Sequence, residues 1–234
     1  EIEVGDWSSD VCSSDLVTYI ERSVPGCEVI GTSVNEKPKF LDAQDIDLVY
    51  MGTMTEESQE IVIDRLRPFF GGIRSAVERG QFFLITGNAM EVFGHEIKDV
   101  GKLVFAKSGG GTVKGLGLIN IRTERDMLNR YNSLWLGSYE GIRLTGLRSQ
   151  FTRSFYTGEP EPLFKTERGP GLSPDTDMEG YRHNNFCATY SLGPLMIMNP
   201  PFMVRFLSEM EISNITQRLR SEERRVGKEC RSRW

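Results

Sequence analysis

The sequence predicts an α/β protein with a doubly wound, mostly parallel sheet, extended by added antiparallel strands. In the first half of the chain, short apolar runs alternate with helical patterns in the order strand, helix, strand, turn, helix. The second half instead carries several short strand-like runs with sparse helix. Alternating strands and helices are typical of parallel sheets. A mixed sheet within one domain is the simplest account of both halves.

Two apolar runs and a helical pattern open the first half. Residues 27–30 and 47–51 predict buried strands, because each run is short and is bounded by turn residues. Residues 55–70 carry apolar side chains at roughly helical spacing. Thr53 with Glu56 predicts a capping box at the start of this helix.

A second helix, a third strand and a short helix complete the first half. The helix over 72–79 is predicted to end at Gly80, a residue type favoured just past a helix end. The strand 81–86 then runs into a Gly-Asn turn and a short helix over 89–93. This succession supplies the β-α-β-turn-α order on which the doubly wound prediction rests.

The second half predicts short strands separated by long loops. Strands are predicted over 115–121, 134–137, 142–147 and 150–155. Residues 157–185 are rich in Gly, Pro, Asp and Glu, which predicts loops. A strand-like run over 186–198 and a last helix over 202–218 follow.

Composition indicates a soluble globular protein. The 234 residues are 38% hydrophobic and 26% charged. The longest apolar runs fall well short of the roughly 20 residues needed to span a bilayer. The net charge of −5 argues against general nucleic-acid binding. We therefore expect neither a membrane span nor a nucleic-acid partner.

The two ends differ in composition from the middle. Residues 1–16 and 220–234 are polar or highly charged, and both resemble translated sequencing-adapter DNA. We therefore predict a natural domain over 17–219, truncated at its N-terminus and flanked by non-native tails. Loss of a first central strand would then expose sheet edges. The alternative is a natural pair of disordered tails.

Cysteine usage indicates a reducing compartment. Within the predicted domain, Cys27 and Cys187 are far apart and outside any CxxC pattern. We expect a cytoplasmic protein without a zinc site. The sequence shows neither a phosphate-binding loop nor a histidine-based metal pattern, so we also expect no metal and no cofactor.

Three local motifs resemble those of class I glutamine amidotransferases. The first is GNAMEVFG at residues 87–94, directly after a predicted strand. It resembles the family's C-G-G-Y-Q-x-L-G elbow, where the cysteine is the nucleophile. Aligned on Gly94, the cysteine position holds Gly87. The two glycines and the glutamine of the motif are replaced by Asn88, Ala89 and Glu91.

Glycine at the elbow removes the nucleophile that the resemblance implies. The family's thiolate attacks the glutamine amide carbon to form a thioester, and Gly87 has no side chain to do so. A one-residue slip of the alignment would instead place Thr86 at the site. Its hydroxyl would need an adjacent base.

The second motif is the loop after an earlier strand, MGTMTEESQE at residues 51–60. It resembles the family's G-G-G-Q-D loop, whose backbone N–H groups form part of the oxyanion hole. Gly52 is kept, but Thr53 and Met54 fill the next positions. The alternative is a plain strand-helix loop capped by Thr53.

The third motif is ATYSLGPLMIMNPP at residues 188–201. It resembles the family's G-T-Y-L-H-G-P-L-L followed by N-P, in which the histidine is the general base. Leu192 takes the histidine position, so the usual base is absent as well. The stretch 115–124 also resembles the family's G-L-G-L-x-x-x-x-T, including Thr123, and supports the fold.

The resemblance covers about residues 40–210 and is greatest to the cobyric acid synthase branch, including amidotransferase subunits of lipid II isoglutaminyl synthases. It implies a class I amidotransferase-type sheet. The usual catalytic cysteine and histidine are absent, because Gly87 and Leu192 take their positions in the alignment. It also implies a Mur-ligase-like, ATP-dependent partner in peptidoglycan precursor amidation. The residues expected at a retained binding site are Gly52, Thr53, Gly87, Asn88, Ala89 and Glu91.

The sequence is consistent with three hypotheses of function. The first is a structural or regulatory subunit without glutaminase activity, with an elbow that still binds a small carboxylate such as glutamine at a helix N-terminus. The second is an active amidotransferase or amidohydrolase with a different nucleophile. The third is an unrelated flavodoxin-like binding module.

A few side chains outside the motifs are secondary candidates. His183 lies four residues before Cys187 and offers a replacement dyad, although a buried Cys187 is the default. His95 is expected at the surface. Glu91 with Glu96 offers a carboxylate pair, although helix-surface charges are the commoner explanation. We expect two residues of the elbow helix in the core, Met90 and Phe93.

Overall fold

The structure is a computed structural model that describes residues 2–5, 11–43, 45–101, 104, 111–192 and 195–212. Its helices are α1 (Val11–Ser23), α2 (Glu56–Leu66), α3 (Phe70–Glu78), α4 (Ala89–Val92), α5 (Leu195–Met198) and α6 (Pro200–Glu209). Its strands are β1 (Ile2–Gly5), β2 (Val29–Thr32), β3 (Leu48–Met51), β4 (Phe82–Thr86), β5 (Glu96–Asp99), β6 (Thr112–Lys114), β7 (Ile121–Arg125), β8 (Tyr131–Tyr139), β9 (Ile142–Gln150), β10 (Thr152–Tyr156), β11 (Phe164–Arg168), β12 (Met178–Glu179), β13 (Tyr181–His183) and β14 (Phe186–Thr189). Among the described residues, none of the helices is long and apolar enough to cross a membrane.

A six-stranded sheet with the order β13-β14-β4-β3-β1-β2 forms the centre of the fold. All of its neighbours run parallel except β13, which pairs antiparallel with β14. Two four-stranded sheets flank it, with the orders β10-β7-β5-β6 and β12-β11-β8-β9. Only the β5–β7 pair is parallel in these two sheets. The predicted α/β fold with a mostly parallel sheet and added antiparallel strands is confirmed.

Each face of the central sheet has its own hydrophobic core. Successive strand residues point to opposite faces. Val49 and Met51 of β3 therefore join the core that α2 and α3 cover. Leu48 and Tyr50 join the opposite core, beneath α1, α6 and the β8–β9 pair. Packing on both faces explains why the central strands read as continuous apolar runs.

Residues 2–5 take a position in the sheet that the sequence predicted to be empty. β1 pairs in parallel with both β2 and β3, and Ile2 is buried. The first helix begins at Val11, before the predicted start of the natural domain at residue 17. The non-native origin of 1–16 and 220–234 stays a prediction. Residues 213–234 lie outside the described part of the chain.

The strand predicted over 115–121 is wrong. This stretch is a loop between β6 and β7, and its amides bond to the end of the elbow helix: Leu116 N–H donates to Val92 O at 2.9 Å and Leu118 N–H to Phe93 O at 2.8 Å. A Cβ on Gly115 would lie 2.1 Å from Gly94 O. Because Gly115 has no side chain, its backbone can approach that of Gly94 this closely, which the Cβ of any other residue would prevent.

Other boundaries shift in the C-terminal half. The region 157–185, predicted as loops, contains β11, β12 and β13, because apolar Phe164 and Tyr181 are buried against the sheets. The run predicted as a strand over 186–198 ends as a strand at Thr189 and continues into α5. The last predicted helix is confirmed as α6, and its predicted end at 218 lies outside the described residues.

Candidate functional site

The candidate site is the turn between β4 and α4. Gly87 follows the last residue of β4 and has a φ of +65°, in the left-handed region that favours glycine. Its N–H donates to Thr189 O at 2.8 Å, which ties the turn to the end of β14. The strand-to-helix elbow predicted at this place is therefore present, at the carboxyl ends of three neighbouring parallel strands.

The altered positions of all three motifs meet at Gly87. A Cβ built on Gly87 would lie 1.9 Å from Cγ2 of Thr53 and 3.2 Å from Cδ2 of Leu192. A carbon atom at 1.9 Å from a non-bonded carbon overlaps it, so no side chain fits at position 87 unless Thr53 moves. The methyl group of Thr53 fills the space where a nucleophile's side chain would begin.

Leu192, which the motif alignment places at the position of the family's base, is held by two backbone hydrogen bonds. Its N–H donates to Leu147 O at 2.8 Å, and Leu147 N–H donates to Leu192 O at 3.1 Å. An aliphatic side chain cannot take up a proton, so it offers no acid–base chemistry at the elbow. The next two residues of the motif, 193 and 194, lie outside the described residues.

Asn88 clasps the loop that the sequence likened to an oxyanion hole. Its Oδ1 accepts from Met54 N at 3.0 Å, and its Nδ2 donates to Met54 O at 2.7 Å. One loop N–H is therefore already bonded. The predicted cap by Thr53 is wrong, because Thr55 caps α2 and accepts from Ser58 N at 3.1 Å. Thr53 faces Gly87 instead.

A cavity of about 410 Å³ opens in front of the elbow. Of the predicted binding residues, Thr53, Gly87 and Asn88 line it, while Gly52, Ala89 and Glu91 are buried. The cavity wall also includes Arg130, whose guanidinium carbon lies 5.3 Å from the centre of the Phe151 ring. Since α4 has only four residues, its N-terminus supplies little of the predicted anion attraction. Arg130 supplies a positive charge in the cavity wall, and Glu56 supplies a negative one.

Solved structures share this architecture. One, described as the crystal structure of a glutamine amidotransferase, aligns over 90% of this chain and 99% of its own, with a TM-score of 0.58 and 14% identity. The structure of PurLQS from Thermotoga maritima aligns over 82% of this chain and 85% of its own, with a TM-score of 0.56 and 11% identity. The chain has the glutamine amidotransferase fold. Neither a model of a protein family nor a curated protein matches its sequence.

Glu91 is a buried carboxyl group of this amidotransferase-fold site. Its carboxylate accepts from Thr152 Oγ1 at 2.5 Å, Tyr190 Oη at 2.8 Å and Gln59 Nε2 at 2.8 Å. Burial raises the pKa of the Glu91 carboxyl from its ordinary 4.5 to about 7, and the three hydrogen bonds offset only part of this rise. The prediction of a helix-surface charge at Glu91 is wrong, because α4 is itself buried.

The hydrogen-bond network continues beyond Glu91 into the core. Tyr190 Oη lies 2.6 Å from Ser154 Oγ, which lies 2.7 Å from Thr123 Oγ1. A second buried carboxylate, Glu179, accepts from Thr189 Oγ1 at 2.7 Å and from Tyr190 N at 2.9 Å. Sequence reasoning missed Ser154 and Glu179. The sequence offered a sign of Ser154 alone: Thr152 and Ser154 alternate along the predicted strand 150–155, which places both hydroxyl groups on one face.

The secondary candidates do not assemble into a catalytic pair. Thr86 is buried, and its Oγ1 lies 3.1 Å from the hydroxyl of Tyr50. Cys187 is buried, and burial raises the pKa of its thiol to about 12. His183 is exposed, with its Nδ1 3.2 Å from a carboxylate oxygen of Glu161. The replacement dyad is therefore not formed.

Three further expectations concern the same region. His95 is exposed and Met90 and Phe93 are buried, as the sequence predicts. Glu96 lies on β5, a strand of another sheet. Among the described residues, His, Cys, Asp and Glu side chains form no group of three that could hold a metal ion.

Proposed function

We propose that this chain is a glutamine amidotransferase-like subunit that does not hydrolyse glutamine. We further propose that it acts in the cytoplasm as a structural or regulatory partner of a Mur-ligase-like, ATP-dependent enzyme that amidates a cell-wall precursor. The observation that carries the first part is the position of Thr53, whose methyl group lies 1.9 Å from where a Cβ of residue 87 would be. The second part rests on the motif resemblance to the cobyric acid synthase branch.

The chemistry explains why these positions matter. Glutamine hydrolysis by the cysteine route needs a thiolate to attack the amide carbon and an imidazole to carry the proton to the leaving ammonia. Gly87 and Leu192 supply neither group. Thr53 adds a steric obstacle, so restoring the cysteine alone would not restore a usable nucleophile.

Restoring variants test this proposal. We expect the G87C variant to stay inactive and to react slowly with a thiol-directed glutamine analogue, because Thr53 blocks the introduced side chain. The T53G/G87C/L192H variant is expected to react faster and to release glutamate. G87C/L192H, with Thr53 retained, is the matched control. Equal labelling by mass spectrometry with and without Thr53 would show that Thr53 is no obstacle.

The competing reading is an amidohydrolase with a different nucleophile. Hydroxyl groups such as those of Thr55 and Ser149 do line the cavity. A serine or threonine nucleophile, however, needs a base within hydrogen-bonding reach. The described cavity wall holds no histidine or lysine, and although it includes the carboxylate of Glu56, the Thr55 hydroxyl donates to Ser58 Oγ and the Ser149 hydroxyl to Asn132 Oδ1. The inactive subunit is therefore the better-supported proposal.

The cavity supports a binding role in place of catalysis. We propose that it holds a small amino acid such as glutamine or glutamate, because Arg130 in its wall suits the ligand's carboxylate, Glu56 suits its ammonium group, and hydroxyl and amide side chains lie beside them. Calorimetry with L-glutamate should give a heat of binding that R130A reduces. R153A is the matched control, because Arg153 is also an arginine over an aromatic ring but lies outside this cavity wall. The absence of a binding heat at millimolar L-glutamate would contradict the assignment of this cavity as a carboxylate site.

The rim of the cavity supports a partner interface. Leu134 and Leu147 face each other across β8 and β9 and are 82% and 43% exposed. Leu147 also lines the cavity. Exposed apolar neighbours beside a cavity are typical of an interaction surface.

Interface variants test the partner proposal. We expect L134E/L147E to weaken co-purification with the Mur-ligase-like enzyme of the same organism. I61E is the matched control, because Ile61 is 42% exposed on α2. Loss of binding in both variants, or in neither, would contradict an interface at the cavity rim.

A further inference from the structure

Glu91 lies one hydrogen bond away from two residues of the cavity wall and two hydrogen bonds away from a third. Two of its donors, Thr152 and Tyr190, themselves line the cavity. The third donor, Gln59, also donates from Nε2 to Asn88 O at 2.7 Å. A change in the hydrogen bonding of this one carboxyl group therefore affects Thr152 and Tyr190 directly and Asn88 of the elbow through Gln59.

The charges around Glu91 leave its protonation state open to change near neutral pH. From β7, Arg125 attracts the carboxylate, but Arg125 is bonded to Asp99 at 2.7 Å and lies 3.4 Å from Glu60 of α2. From the segment after β14, the Tyr190 hydroxyl stays protonated, since burial raises its pKa well above the ordinary value. With burial raising the pKa of Glu91 to about 7, both of its forms are populated.

In the ionised form, the hydrogen bonds can run in only one direction. Oε1 of the carboxylate has no hydrogen, so Thr152 and Tyr190 must both donate to it. The Tyr190 oxygen then accepts from Ser154, and the Ser154 oxygen accepts from Thr123. The hydrogen of the Thr152 hydroxyl thus points into the protein and away from the cavity.

In the protonated form, the proton is best placed on Oε1. Its neighbours there are hydroxyl groups, which rotate freely to become acceptors. On Oε2, the neighbour is the Nε2 donor of Gln59, which cannot accept. Once Oε1 carries the hydrogen and donates it to Tyr190, the chain through Ser154 reverses, and Thr152 faces the hydroxyl oxygen of a carboxylic acid, a weaker acceptor than the carboxylate.

We propose that the Glu91 carboxyl is a proton switch for the cavity: uptake of one proton from solvent reverses the hydroxyl chain, turns the Thr152 hydroxyl hydrogen toward the cavity, and so strengthens binding of a small carboxylate. A hydroxyl donor in a wall that also carries Arg130 complements an anionic ligand, whereas the lone pairs of the same oxygen repel it. The switch rests on the proposed carboxylate-binding role of the cavity for its ligand. Its titration is a property of the protein alone.

The first test follows the carboxyl group without any ligand. In protein labelled with 13C at the glutamate carboxyl carbons, one NMR resonance should titrate with a midpoint near pH 7 and should be missing in E91Q. E96Q is the matched control and should keep it. If E91Q does not fold, T152V should keep the resonance with a shifted midpoint. Titration of every glutamate below about pH 5.5 would overturn the switch, because unperturbed glutamates titrate near 4.3.

The second test measures coupling to the cavity. L-Glutamate has the same charge at pH 6 and at pH 8, so it is a suitable probe for calorimetry. Wild type should bind it severalfold more tightly at pH 6, and both T152V and E91Q should bind it equally at the two pH values. Equal wild-type affinities would overturn the coupling. Absence of binding at both pH values overturns the ligand assignment, while the NMR midpoint still decides the proton switch.

Discussion

Gly87 combines two constraints at the residue scale. Its φ of +65° strains any L residue, and its Cβ position is filled by the Thr53 methyl group. Gly26 has a similar φ of +77° but nothing within 4 Å of its Cβ position. A comparison of the two positions therefore separates the effect of backbone strain from the effect of crowding at the Cβ position.

Alanine substitutions at the two glycines test this. We expect G26A to destabilise the protein by roughly 1–2 kcal/mol from strain alone. G87A should cost about 1–3 kcal/mol more, because it also crowds Thr53. Urea unfolding measures both values, and T53G/G87A should recover most of the extra cost. Equal losses for G26A and G87A would contradict the filled position.

A second prediction at this scale concerns the pH dependence of stability. The folded-state pKa of Glu91 is raised from 4.5 to about 7, so the folded protein binds more protons than the unfolded chain between these values. The free energy of unfolding should therefore fall by about 3 kcal/mol from this group as pH rises through that window. E91Q should lack this contribution, whereas E96Q should keep it. Parallel pH profiles of wild type and E91Q would contradict a buried, titrating Glu91.

At the scale of elements, the first half of the chain was the more predictable. Buried parallel strands and their helices carry local patterns, so β3, β4, α3 and the elbow follow from the sequence. The loop at 115–119 does not, because its glycine–leucine alternation imitates a strand while its amides bond to the end of α4. The network around Glu91 was also beyond prediction, since Thr152 and Tyr190 are 61 and 99 residues away from it in the chain.

The clasp between the elbow and the loop after β3 is testable at the same scale. N88A removes both hydrogen bonds to Met54, so that the backbone N–H and C=O of Met54 lose their Asn88 partner. We expect a loss of about 1–3 kcal/mol in the free energy of unfolding. Faster hydrogen exchange of the Met54 amide should accompany it. N132A, at an exposed asparagine of β8, should change stability by less than about 0.5 kcal/mol.

At the scale of the whole molecule, fold and chemistry separate. The central sheet brings the ends of β3, β4 and β14 to one edge, where ligands bind in open α/β sheets. That placement is independent of the side chains that fill it. Of the residues expected from the sequence at a retained binding site, Thr53, Gly87 and Asn88 line a cavity there. The sequence did not predict that Thr53 would fill the nucleophile's space.

The most direct measurement is glutamate release from L-glutamine by the wild-type protein, alone and with the proposed ligase-like partner. With Gly87 and Leu192 in the nucleophile and base positions, release should not exceed that of the partner alone. T53G, which opens the elbow without adding a thiol, is the control and should be equally inactive. Release of glutamate by the wild-type protein that a thiol-directed glutamine analogue blocks would contradict the loss of glutaminase chemistry.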